Sequence, residues 1–192
     1  MPWKRTTIME QKMELYKRII EIIDANLIYC LIPIIMTLIL VELFFKNRFE
    51  TKKTLNLIRW TIVIYTIITW TSYLIGMATN PDKYAFIDRA TGPYAWAYWM
   101  MSLSALILPF TLLIKKLASK FLYVLFVAFA MKIGMYFEPF VIIVTSFHRD
   151  YLPNNGNSEL IDLFAFGIGM IFLQGVIITI LTLGIFEIIK RK

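Results

Sequence analysis

The sequence predicts an all-α membrane protein, a bundle of five transmembrane helices preceded by an amphipathic N-terminal helix. Hydrophobic residues make up 59% of its 192 residues, whereas roughly 45–50% is usual in soluble domains. They are gathered into long runs, and about 20 helical residues cross the ~30 Å hydrocarbon layer of a bilayer. Basic residues cluster at the ends of the runs, as expected for segments anchored at lipid headgroups.

The formal net charge of +7 comes from 20 Lys and Arg residues against 13 Asp and Glu residues. Because this excess lies at the ends of the apolar runs, it indicates membrane lipid as a partner and disfavours nucleic acid. The single cysteine, Cys30, cannot form an internal disulfide, and the sequence shows no Cys or His spacing typical of a metal site. The single histidine excludes a haem held between two histidines of this chain. We therefore expect no cofactor bound by this chain alone.

The first segment, residues 6–24, predicts an amphipathic helix. Its apolar side chains recur at alternating spacings of four and three residues and form one stripe: Met9, Met13, Tyr16, Ile20 and Ile23. Such a helix lies in the membrane interface or packs on a partner; a solvated helix leading into the first span is the alternative. The domains expected are residues 1–25, the interfacial helix, and residues 26–192, the transmembrane bundle.

The apolar runs place the spans at about residues 26–45, 57–77, 95–114, 121–147 and 161–189. Kinks are expected at Pro33 and Pro139, and Pro109 interrupts the third span. The lysine-bounded connection at residues 115–120 is so short that the third and fourth spans should pack as antiparallel neighbours. In the fifth span, Gly167, Gly169 and Gly175 predict close helix packing, and Gln174 is a candidate polar residue of the interior.

Five spans place the two termini on opposite sides of the membrane. The side that carries the C-terminus has its basic residues in short loops near the span ends, where the positive-inside rule applies most strongly. We therefore expect that side to face the cytoplasm. The N-terminus and the loops at residues 78–94 and 148–160 then lie on the other side.

Two charged residues, Lys132 and Glu138, stand well inside the fourth apolar run. A charge at the centre of a membrane helix costs on the order of 2.5–3.5 kcal/mol on insertion scales, so each is a candidate functional residue. Glu138 is either a proton-relay or quinone-site carboxylate, or a structural partner for Arg89 or for a backbone group freed by Pro139. For Lys132, pairing with Glu42, Glu187 or a partner chain is favoured over a direct functional role. Their six-residue spacing disfavours a direct Lys132–Glu138 pair in a straight helix.

The fourth span ends in His148, Arg149 and Asp150. His148 is suited to exchange protons near neutral pH, but anchoring of the loop by an Arg149–Asp150 network is the simpler interpretation. The third span begins with a collar of aromatic residues, Tyr94, Trp96, Tyr98 and Trp99. These rings either clamp a quinone or, more commonly, anchor the helix at the membrane interface. The sequence has no Ser–His–Asp set and no phosphate-cradling glycine loop, which disfavours a stand-alone hydrolase or nucleotide enzyme.

Two stretches, YAFIDRATGPYAWAYW at residues 84–99 and GMYFEPFVIIVTSFHRDYLP at residues 134–153, resemble NrfD/polysulfide-reductase-type integral membrane subunits. The closest resemblance is to the quinol-oxidoreductase membrane subunit of alternative complex III. It covers only the C-terminal half of that family, from about residue 26. The matching positions are Arg89, Gly92, Pro93, Tyr94, Trp96, Tyr98, Trp99, Glu138, His148, Arg149 and Asp150.

The resemblance implies a membrane subunit of a respiratory, quinone-linked oxidoreductase complex in the bacterial inner (cytoplasmic) membrane, with a periplasmic N-terminus. It implies iron–sulfur, haem or other membrane subunits as partners, a quinone within the complex, and a proton path through Glu138 with entry at His148. The chain departs from the family pattern at Pro139, where an Arg is usual, and at Lys132, where an Asn is usual. The half that carries the family's quinol-oxidising residues is missing, so an auxiliary role is expected. A non-catalytic anchor or assembly subunit derived by truncation is the alternative.

Overall fold

A computed structural model describes residues 15, 18–46, 48–79, 86–93, 95–133 and 157–191. All regular structure in these ranges is helical. A π-helical turn, Asp24–Ile28, precedes α1 (Leu31–Phe45); the helices that follow are α2 (Thr51–Thr79), α3 (Phe86–Thr91), α4 (Ala95–Thr111), α5 (Lys115–Ala118), α6 (Phe121–Met131) and α7 (Asn157–Arg191).

Three described helical segments are long and apolar enough to cross a bilayer: Arg18–Phe45, Thr51–Ala78 and Phe166–Arg191. Two shorter apolar helices, α4 and α6, accompany them. Large apolar side chains such as Leu43, Phe44 and Leu181 are more than half exposed, and hydrocarbon is the environment in which such a surface is stable. The prediction of an all-α membrane protein is therefore confirmed.

The first spanning segment is helical from Arg18 to Phe45 but irregular near Tyr29 and Cys30. The N–H of Tyr29 donates to the carbonyl of Asp24 at 3.0 Å, which is the wide turn of a π-helix. Pro33 follows four residues after Tyr29, and its ring lacks an N–H and crowds the carbonyl at that position. The expected irregularity at Pro33 thus lies in the turn before it. The predicted domain boundary after residue 25 falls inside this continuous segment.

A buried core joins α1 to its neighbours and includes Ile34, Ile35, Leu38, Ile62 and Val124. Helix α1 packs against α2, α6 and α7, while α4 packs against α6 and α2. The chain reverses between α4 and α6 through the single-turn helix α5. The prediction that the third and fourth spans pack as neighbours is confirmed.

Helix α7 approaches α1 most closely at Gly175. A Cβ atom at Gly175 would lie 2.7 Å from Cγ of Pro33, so the close packing predicted for this glycine is confirmed. Gln174, predicted to face the interior, donates to the backbone oxygen of Asn26 at 3.1 Å. No described atom lies within 4 Å of the position a Cβ would take at Gly167 or Gly169, so close packing at these two glycines stays a prediction.

The bundle has two ends that differ in chemistry. The end formed by residues 45–46, 48–51 and 115–120 and by the last turn of α7 is called the basic end. The opposite end, where α2 finishes, α3 lies and α4 begins, is called the aromatic end. Part of the loop predicted at residues 78–94 is helical, because α3 forms there.

Candidate functional site

Lys132, the first residue after α6, forms an ion pair with Asp24 of the first spanning segment. The side chains of Lys132 and Asp24 are 14% and 24% exposed. The hydroxyl of Tyr65 on α2 donates to Oδ1 of Asp24 at 2.9 Å and lies 3.4 Å from Nζ of Lys132. The ammonium also lies 4.9 Å from the ring centroid of Tyr29. We call these four residues the Lys132 cluster.

The partners predicted for Lys132 are wrong as far as this chain is concerned. Glu42 lies at the basic end, where its Oε2 accepts a hydrogen bond from Thr51 at 2.5 Å. Glu187 lies near the end of α7, beside Lys190. Lys132 lies far from both along the bundle axis, because α6 carries it away from the basic end. Among the described residues, the carboxylate that pairs with Lys132 is that of Asp24.

The Lys132 cluster lies deep within the membrane-spanning part of the bundle. Tyr65 is the central residue of the 29-residue helix α2, about 21 Å from either end at helical rise. Lys132 follows the 11-residue helix α6 and is therefore about 16 Å from the start of that helix. A charged pair at this depth is costly unless each charge is neutralised and hydrogen-bonded. Asp24 and Tyr65 supply both requirements.

The backbone at the two charged residues is adapted to the pair. Asp24 opens the π-helical turn, and such turns occur within α-helices frequently at functional sites. Lys132 occupies the C-cap of α6, where the negative end of the helix dipole favours a cation. Cation–π contact with the rings of Tyr29 and Tyr65 adds further stabilisation to the ammonium.

A groove of about 480 Å³ lies beside the Lys132 cluster and extends towards the aromatic end. We call it the Lys132 groove. It brings together Lys132, Arg89 and Tyr98, three residues that the sequence singled out. Its described lining consists of Thr69, Trp70, Tyr73, Arg89, Tyr98, Met101, Ser102, Ala105, Met131 and Lys132. The hydroxyls of Tyr73 and Tyr98 are 3.0 Å apart and join α2 to α4 in its wall.

The remaining aromatic residues of the predicted collar have separate positions. The indole N–H of Trp99 donates to the carbonyl of Ala90 at 3.1 Å, and its ring packs edge-on against Phe86. Trp99 therefore holds α3, and with it Arg89, against α4. Trp96 is 66% exposed and points away from the bundle, as an interfacial anchor does.

Five predicted site residues lie outside the described residues: Glu138, His148, Arg149, Asp150 and Tyr94. Their roles, and the pairing suggested between Glu138 and Arg89, stay predictions. Among the described residues, no group of three or more His, Cys, Asp or Glu side chains is placed to hold a metal ion.

Sequence reasoning missed Asp24, Tyr29 and Tyr65. Asp24 ends the charged stripe of the N-terminal helix and looks like an interfacial residue, although it packs against the bundle. A signal was present at Tyr65, since a phenol at the centre of an apolar span needs a hydrogen-bond partner at that depth. Searching for an acceptor at the same height would have pointed to a carboxylate near the start of the first span.

The arrangement combines two cationic groups and several hydroxyls with walls formed by Trp70, Met101 and Met131. Lys132 has three N–H donors and Arg89 has five, so both can serve oxygen acceptors of a bound molecule. A concave, mostly apolar site with a few convergent polar groups is the usual form of a small-molecule site, and 480 Å³ lies within the common range of roughly 300–1,000 Å³. No protein-family model, curated protein or solved structure matches this chain.

Proposed function

We propose that this chain is an integral membrane subunit of a respiratory, quinone-linked oxidoreductase complex, and that the Lys132 groove receives a quinone headgroup. The observation that carries the proposal is the ion pair of Lys132 and Asp24, which lies at bilayer depth and adjoins an aromatic groove. Ionisable residues at that depth usually mark a substrate, ion or proton pathway. The two sequence stretches that resemble NrfD-type subunits support the same assignment.

A quinone suits the groove chemically. Its headgroup is a planar ring with two carbonyl oxygens, which accept hydrogen bonds, and its tail is apolar. Lys132 at the inner end and Arg89 at the aromatic end provide donors for the two oxygens. The ring of Trp70 and the thioethers of Met101 and Met131 offer apolar contact to the ring plane.

The proposal includes a five-span bundle with an interfacial N-terminal helix. The three long described helices support this count, with α4 and α6 belonging to the two remaining spans. The basic end would face the cytoplasm of a bacterium, following the distribution of basic residues in short loops. Electrons would reach or leave the quinone through an iron–sulfur or haem subunit, and protons would pass through Glu138 with His148 as the entry. In the intact complex, unchanged turnover and proton coupling in Glu138→Gln would refute that path.

Quinone titration of the purified chain in lipid nanodiscs tests the groove directly. Quenching of tryptophan fluorescence by a short-chain ubiquinone or menaquinone analogue should saturate in the wild type. Arg89→Gln should weaken binding by roughly 3- to 10-fold, the equivalent of one modest hydrogen bond, without changing the melting temperature. Lys132→Met should weaken it further, whereas Lys120→Met, which removes an exposed lysine at the other end of α6, should have no effect. Unsaturable quenching, or equal affinities in all variants, would refute quinone binding at this site.

A non-catalytic anchor or assembly subunit is the second candidate, and one observation favours it. The Lys132 cluster connects the first spanning segment, α2 and α6, so its charges already serve to hold three helices together. Under this alternative, the Asp24→Asn/Lys132→Met double variant should assemble with its partner subunits and leave quinol oxidation by the complex unchanged. Loss of turnover in an assembled complex would exclude it.

A further inference from the structure

A second groove, of about 410 Å³, lies at the basic end between the start of α2 and the end of α7. Its described lining consists of Lys52, Lys53, Asn56, Leu57, Trp60 and Phe186. We propose that this basic-end groove binds the headgroup and upper acyl chain of an anionic phospholipid. The proposal does not depend on quinone binding, because the two grooves lie at opposite ends of the bundle.

The polar part of the groove is cationic. Lys52 is exposed, and the side chain of Lys53 is 59% exposed, so both ammonium groups are accessible to a ligand. The nearest carboxylate, Glu50, is shared: its Oε1 lies 3.1 Å from Nζ of Lys190, and its Oε2 lies 3.5 Å from Nζ of Lys53. Glu50 therefore neutralises Lys53 only in part. No carboxylate is among the six described lining residues.

Two further features make this end of the groove attractive to an anion. The guanidinium of Arg59 lies 5.0 Å from the ring centroid of Trp60 and places a positive charge next to the wall. The lysines also stand in the first turn of α2, where the positive end of the helix dipole favours negative charge. A phosphate diester is the anion that a membrane surface supplies at this height.

The order of residues along the groove matches the order of chemical groups along a lipid. Lys53, Asn56, Leu57 and Trp60 follow one another at spacings of three, one and three residues, so they share one face of α2. The two polar residues come first and the two apolar residues come deeper, over about 10 Å of helix. Phe186 of α7 supplies the opposite apolar wall.

This gradient decides between a phospholipid and a free anion. A soluble phosphate would use only Lys52, Lys53 and Asn56, and would leave Leu57 and Trp60 without a role. Both apolar side chains are nearly half exposed in the absence of a ligand. An acyl chain covers them, and an indole near the membrane surface is a common neighbour of lipid headgroups.

Native mass spectrometry of the detergent-solubilised chain, titrated with phosphatidylglycerol or phosphatidylcholine, tests the proposal. The wild type should retain phosphatidylglycerol in preference to phosphatidylcholine. Each lysine near an anionic lipid surface is worth about a fivefold change in affinity, so Lys52→Gln/Lys53→Gln should weaken phosphatidylglycerol binding by roughly 25-fold. The matched control is Lys115→Gln/Lys116→Gln, a second exposed lysine pair at the same end that does not line the groove. It should bind as the wild type does.

Three results would overturn the proposal. Equal losses in the two double variants would mean that lysines at this end act only as a diffuse charge. Equal binding of the two lipids by the wild type would mean that the charge of the headgroup does not affect the affinity. Displacement of phosphatidylglycerol by millimolar inorganic phosphate would assign the site to a soluble anion.

The acyl-chain contact has its own test. Trp60→Ala should weaken the lipid complex severalfold while the melting temperature stays unchanged. An unaltered lipid affinity would remove the acyl-chain part of the inference.

Discussion

Replacing Lys132 by Met should destabilise the bundle, because it leaves the carboxylate of Asp24 without its cation at bilayer depth. Removing one partner of a buried ion pair typically costs about 3–5 kcal/mol. Here the side chains of Lys132 and Asp24 are 14% and 24% exposed, and the hydroxyl of Tyr65 continues to donate to Asp24. Both features lower the cost, so we expect a loss of about 2–4 kcal/mol in the free energy of unfolding.

The double variant Asp24→Asn/Lys132→Met should recover most of that stability. The amide oxygen of the introduced asparagine would still accept a hydrogen bond from Tyr65, and the introduced methionine would occupy much of the lysine volume without a charge. Replacing both members of a buried pair by neutral groups is often close to neutral. We therefore expect the double variant within about 1 kcal/mol of the wild type, so the effects of the two substitutions should not be additive.

The chain carries its own probe for this measurement. Its single cysteine, Cys30, is fully buried, so a thiol-specific fluorophore reacts with it only when the bundle opens. Thermal melts in detergent should show a lower transition temperature for Lys132→Met and near wild-type behaviour for the double variant. Lys120→Met controls for the loss of a lysine and should change stability by less than about 0.5 kcal/mol. Additive effects of the two single substitutions, or an unchanged transition in Lys132→Met, would refute the ion-pair argument.

Two further predictions concern helix packing and pH. Gly175→Ala should destabilise the chain by about 1–3 kcal/mol, because its Cβ would lie 2.7 Å from Cγ of Pro33; Gly184→Ala, with no described neighbour within 4 Å, should be neutral or stabilising in the same assay, and equal effects would contradict the contact. A hydrogen bond from Lys190, aided by its charge, lowers the pKa of Glu50 below its ordinary value of 4.5. This stabilisation is therefore complete above that pH and is lost as the pH falls through the folded-state pKa. The melting temperature of Glu50→Gln should therefore fall less at acid pH than that of the wild type. The same dependence of melting temperature on pH in wild type and variant would argue against a stabilising Glu50–Lys190 contact.

The spans were predictable because their signal is local. A long apolar run in which every backbone group must be hydrogen-bonded can only be a helix, and the segments that contain α1, α2 and α7 are long and apolar enough to cross a bilayer. The sequence predicted that α7 packs closely at a glycine, but it could not show that Gly175 is the glycine in contact. Which glycine meets a neighbour depends on how α7 is rotated against Pro33, and Gly167, Gly169 and Gly175 look alike in sequence.

The site was predicted in part, and the reason lies in sequence distance. Lys132 was recognisable because a charge inside an apolar run is conspicuous. Its partner was not, because Asp24 lies 108 residues away in a segment whose charges all resemble those of an interfacial helix. Glu42 and Glu187, which the sequence analysis named as partners of Lys132, lie at the basic end. The partner of Lys132 must lie at the same height along the bundle axis. That height is determined by how the helices pack, which the sequence does not show.

The first spanning segment is held in the bundle at two heights. At Gly175 it lies against α7 through Pro33, and at Asp24 it is bound to Tyr65 and Lys132. Because Lys132 both closes this clamp and lines the groove, a ligand oxygen that takes one of its N–H donors leaves the others available to Asp24 and Tyr65. In the proposed groove, a ligand would therefore share Lys132 with Asp24 rather than replace it. Asp24 thus packs as part of the bundle, through its contacts with Tyr65 and Lys132.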